Sequence, residues 1–164
     1  MADSWTALLP RIPSTVERVP ANTADEYNEQ ICRQTKERVS RIAREGRAAI
    51  DRRLQELDEE WDVERTLEAN AATAVLTFSL LGLAVDRRFF VMPMVVGGFL
   101  LQHAVQGWCP PLPVFRAYGV RTQSEIEEER YALKTLRGDF AHTGGRGDQT
   151  GSRSASEALA AVRR

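Results

Sequence analysis

Residues 69–109 read ANAATAVLTFSLLGLAV, DRR, FFVMPMVVGGFLLQHAVQGWC, and this stretch decides the fold. Two apolar runs, 69–85 and 89–108, flank a charged break at Asp86, Arg87 and Arg88. Apart from His103, neither run carries an ionisable side chain. A helix crossing the hydrocarbon core takes about 20 mostly apolar residues at roughly 1.5 Å each. The first run falls a little short, and the second reaches that length while carrying Gln102, His103 and Gln106. Both exceed the run of about 10–14 that marks a buried core helix, which favours insertion in lipid over a soluble core. Their shortness also implies a thin or locally thinned bilayer.

The runs read as helices. Neither alternates apolar and polar at period two, and each is longer than an ordinary strand. In lipid only helices and closed barrels satisfy the backbone, and two segments cannot close a barrel. A short break forces the helices antiparallel. Asp86 is placed to cap the second helix with its carboxylate. Pro93 requires either that this helix starts close to it or that the helix kinks there.

Outward from the hairpin, Pro10, Pro13 and Pro20 punctuate an irregular arm that also holds Trp5, Leu8 and Leu9. Thr23 with Glu26 forms a capping box opening a long helix. Tyr27, Ile31, Thr35, Val39, Ile42, Gly46, Ala49, Ile50, Leu54, Leu57 and Trp61 recur at steps of three or four, an apolar stripe reaching about Arg65. Such a stripe suits either a coiled-coil seam between protomers or a helix lying on the chain's own body or on the headgroups. Beyond the hairpin, Pro110, Pro111 and Pro113 stop the second helix. Ser124 with Glu127 forms a second capping box, and Gly138 closes that helix. In it Ile126, Tyr131, Leu133 and Leu136 make no clean stripe, and Phe140 is available to help it dock. The tail HTGGRGDQTGSRSAS is Gly/Ser-rich and reads as disordered, with its RGD triplet coincidental.

The expected architecture is therefore all-α. It comprises an irregular arm at 1–22, a long amphipathic, coiled-coil-like N-terminal helix at 23–66 and a two-helix transmembrane hairpin at 67–113. A cytoplasmic linker and short helix follow at 114–140, then a disordered tail at 141–164.

Composition narrows function by exclusion. A net charge of −1 and interleaved Glu and Asp give no electrostatic case for nucleic acid. The N-terminus lacks the basic start and apolar run of a secretory signal, so the first apolar segment itself is expected to direct insertion. Cys32 and Cys109 form no CxxC or metal spacing, and Met92 and Met94 read as packing residues, so no metal or cofactor is expected. No paired carboxylates or Gly-rich phosphate loop appear, and no enzymatic activity is expected. Arg47, Arg52, Arg53 and Arg65 precede the hairpin, Arg116 and Arg121 follow it, and the turn holds only Arg87 and Arg88. Basic flanks are retained inside, which puts both termini in the cytoplasm.

Candidate sites lie on the hairpin. Ala69, Thr73 and Thr77, with Gly97 and Gly98, offer small-residue faces for close helix packing and hence a homo-oligomer. Met94, Gly98, Gln102, Gln106 and Cys109 fall at steps of four, four, four and three, a polar stripe that is costly to turn toward lipid. Cys109 is the candidate reactive thiol. Against reactivity stand the negative partial charge of a helix C-terminus and the lack of a neighbouring cation nearer than Arg116.

The hairpin and its exit, with Leu81-Gly82, Phe89-Phe90, Gly97-Gly98 and Gly107-Trp108-Cys109, resemble the YgaP-like inner-membrane domain of bacteria. The segment GVRTQSEIEEERYALKTLRGDF resembles the cytoplasmic extension of its stand-alone members. The resemblance spans roughly residues 69–140 and implies a hairpin that dimerises in the inner (cytoplasmic) membrane. Some members are fused to a rhodanese sulfurtransferase, which this chain lacks, and the diproline after Cys109 replaces the Gly of the fused form. The expected function is thus a dimerising structural and interaction module embedded in membrane lipid. Two alternatives stand beside it. One is handling of sulfane sulfur or thiocyanate, with Cys109 accepting sulfur from a separate sulfurtransferase. The other is a soluble helical oligomer.

Overall fold

The computed structural model describes residues 13–140, and among them all regular secondary structure is helical. The readings of the first 12 residues and of the tail from residue 141 lie outside the described residues. The described residues form two compact units, 13–31 with 61–123 and 32–60 with 124–140.

In the second unit, one core joins three helices, α1 (Asp25–Glu45), α2 (Arg47–Glu59) and α6 (Gln123–Arg137). The single helix expected over 23–66 is broken twice. Gly46 has φ 90°, a left-handed conformation open to glycine, and ends α1 there. Glu60 then leaves the helical region and ends α2. The start also differs, because the Thr23 hydroxyl donates to the Val19 carbonyl at 2.8 Å and α1 opens at Asp25.

The apolar stripe packs within the chain. Ile42 of α1, Ala49, Ile50, Leu54 and Leu57 of α2, and Ile126 and Leu133 of α6 form the core, with Val39 against it. Of the two readings of this stripe, packing on the chain's own body holds over this length, where α6 covers it. Between Ile126 and Leu133 lies Glu129, whose side chain has no exposed surface. Its carboxylate accepts from Arg38 at 2.7 Å and from Arg53 at 2.8 Å. Arg130 and Arg137, one heptad apart on α6, pair with Asp58 and Asp51, one heptad apart on α2. The docked face of α6 is thus half apolar and half ionic, while Tyr131 and Leu136 stay exposed.

In the first unit, α3 (Val63–Ala84) starts six residues before the apolar run, because Asp62 accepts from the Arg65 amide at 2.8 Å and caps it. Asp86 caps as well, but it serves a 3-10 turn, Arg87–Phe90, that leads directly into α4 (Val91–Gln106). Pro93 falls in the first turn of α4, where its missing amide needs no partner, so no kink is required. The two helices pack side by side. A short α5 (Leu112–Ala117) follows the prolines. At the hairpin base, Val19, Val63, Leu67, Cys109 and Leu112 form a second core with Leu100, Phe115 and Val120 against it.

Candidate functional site

Two helical stretches, Arg47–Ala84 and Arg87–Gln106, are long and apolar enough to cross a membrane by length and composition. The charges of α2 confine the apolar window of the first to α3. Only 11% and 6% of these windows is buried against the rest of the chain. The core helix of a soluble monomer would be mostly buried. Here Leu76, Leu80, Leu83, Val91, Met94 and Leu101 stand largely exposed. A surface of this kind requires a covering other than the described residues.

The small-residue positions are open. Thr73 and Thr77 are exposed and Ala69 half-buried, and the Thr73 hydroxyl donates to the Ala69 carbonyl at 2.7 Å. A side-chain carbon added at Gly97 or Gly98 would meet nothing within 4 Å. On the polar stripe, Met94, Gly98 and Gln106 are exposed and Gln102 is half-buried. Cys109 leaves this stripe. Gly107 adopts φ 80°, ends α4, and turns the chain so that Cys109 is buried in the base core. The pairs quoted for the family resemblance meet in space, since the Phe90 ring lies over Gly82, 2.9 Å from where a side-chain carbon would sit.

An ionic latch closes the base of the hairpin. Glu64, in the first turn of α3, accepts from Arg18 at 2.7 Å and lies 3.1 Å from His103 Nε2. Arg18 also donates to the Ala104 carbonyl at 2.7 Å and to that of His103 at 3.3 Å, and Asn22 donates to the Gln106 carbonyl at 2.8 Å. The open carbonyls ending α4 are thereby satisfied by side chains more than 80 residues upstream. His103 is 3% exposed and its Nδ1 has no partner among the described residues. A tautomer with Nε2–H donating to Glu64 leaves Nδ1 a bare acceptor, the less costly orphan. Arg18 and Glu64 escaped the sequence reading because no local pattern links three residues so far apart.

No family model matches this chain, and neither a characterised protein nor a solved structure matches it.

The chemistry at the base argues for packing. Burial pushes the Cys109 thiol above its ordinary range, the Glu64 carboxylate adds to this, and the Leu112 amide works the other way. A raised thiol holds less thiolate at neutral pH, and the thiolate is the nucleophile. Among the described residues no group of His, Cys, Asp and Glu comes together to hold a metal. Cys32 is exposed and provides an internal reference. At neutral pH a maleimide should label exposed Cys32 first and buried Cys109 markedly more slowly. Equal rates, or persulfide on Cys109 after exposure to a sulfur donor, would contradict a packing role.

Proposed function

We propose that this chain is an integral membrane hairpin protein that self-associates and displays helical structure in the cytoplasm, as a structural and interaction module. One observation carries the reading: two apolar helices joined by a charged turn, with little of either buried against the chain. Lipid is the covering that their length and composition fit. Trp61 and Arg65, stacked at 4.4 Å at the start of α3, suit the headgroup level. The arginine asymmetry supports placing both termini in the cytoplasm. The open faces at Ala69, Thr73 and Thr77 and at Gly97 and Gly98 support close contact between copies. Buried Cys109 gives no support to sulfur transfer, and we propose no catalytic role.

Membranes washed in alkaline carbonate should retain the protein, and crosslinking of the retained fraction should give a dimer or higher oligomer. Release into the wash would refute insertion and favour a soluble oligomer whose copies cover each other's apolar faces.

A further inference from the structure

We infer that the groove along one side of the hairpin seats a single phospholipid acyl chain; the inference rests on the membrane reading above. The groove measures about 290 Å³. Leu67, Ala71 and Ala74 of α3 form one wall, Met92, Val96 and Phe99 of α4 the other, and Pro110 and Pro111 border it toward the hairpin base. Asn70 also borders it, but its amide donates to the Thr66 carbonyl at 2.7 Å. A lining with no charge discriminates against headgroups and polar metabolites, and accepts hydrocarbon.

Size and direction select the occupant. The lining comprises 12 residues, whereas a stable protein interface takes about 20–30 a side. A helix of a second copy, roughly 10 Å across with its side chains, needs a wider bed. From Met92 to Leu100 the groove follows the axis of α4 for about 12 Å at 1.5 Å per residue. That axis crosses the bilayer in the proposed reading, so an extended chain lies parallel to it. Arg65 stands exposed at the start of α3, the level at which a phosphate would sit. The proposed self-association positions lie elsewhere. At 100° per residue, Ala69, Thr73 and Thr77 sit roughly a third of a turn from the groove wall of α3, and Gly97 and Gly98 about the same, to either side, from that of α4. Self-association and lipid seating therefore do not compete.

The test uses the full chain in vesicles of phosphatidylethanolamine and phosphatidylglycerol doped with a phospholipid carrying a diazirine on its acyl chain. After irradiation, adducts should concentrate on Met92, Val96 and Phe99 over Leu83 and Leu101, which are exposed outside the groove. Ala74→Trp, which fills the groove, should lose most of the groove label and keep the rest. Ala71→Leu, a milder filling, should lose part of it. Label spread evenly over exposed positions, or groove label untouched by both substitutions, would overturn the proposal. So would disulfide pairing between copies carrying Val96→Cys, which would put a second copy in the groove. Each sample is also washed in carbonate: retention with even label sinks the groove alone, whereas release sinks the membrane reading with it.

Discussion

Glu129→Ala is expected to remove about 2–4 kcal/mol from the stability of the helices around it. The carboxylate is wholly inside and holds Arg38 and Arg53 together. Breaking a buried pair from one side costs about 3–5 kcal/mol, because the partner charge stays behind. Arg38 keeps about a quarter of its exposure, and Arg53 retains Glu56 and Glu60, which lowers the cost. Hydrogen exchange should show α2 and α6 losing protection while α3 and α4 keep theirs. Arg41 and Glu45 supply the contrast, with exposures of 66% and 50% at 3.8 Å. Glu45→Ala should cost no more than about 0.5 kcal/mol. If the two substitutions cost the same, Glu129 is no organising group.

Gly107→Ala should be comparably damaging in the first unit, by a different route. Left-handed backbone costs an L-residue about 1–2 kcal/mol. The new carbon would also fall 2.4 Å from the Arg18 carbonyl oxygen, a backbone atom that moves only with its segment. Relieving the clash pulls Arg18 from Ala104 and Glu64 and leaves carbonyls of α4 without donors. The total should reach about 2–5 kcal/mol, combining strain with the 1–3 kcal/mol of an overpacked contact. Limited trypsin digestion reads this directly, since Arg18 released from its latch becomes a cleavage site. Gly97→Ala, with open space around it, should leave digestion unchanged. Resistance at Arg18 in Gly107→Ala would show that the latch does not depend on that close approach.

The hairpin was legible because its signal is local: charge-free runs and an Asp-Arg-Arg break, although Gly107 and not the prolines ends its second helix. The start of α3 was not, since Glu64, Arg65 and Glu68 break the apolar pattern while still lying on the helix. Gly46 matched the stripe by spacing, yet its backbone ends the helix, and periodicity carries no information about φ. The docked face of α6 looked irregular because Glu129 occupies a core position, which an apolar template cannot register. Cys109 followed the polar stripe only on the assumption that the helix continued past Gly107. The latch among Arg18, Glu64 and His103 depends wholly on tertiary proximity.

The most direct test of the hairpin's passage through the membrane labels cysteines from outside. Cys32 lies on α1 and is exposed, and Arg87 is exposed in the turn. In cells with a permeable outer membrane and an intact inner one, an impermeant maleimide should label Arg87→Cys and leave Cys32 unlabelled until the inner membrane is lysed. Labelling of Cys32 in the intact cells, or an Arg87→Cys thiol reached only after lysis, would contradict a hairpin that crosses the bilayer with its termini inside.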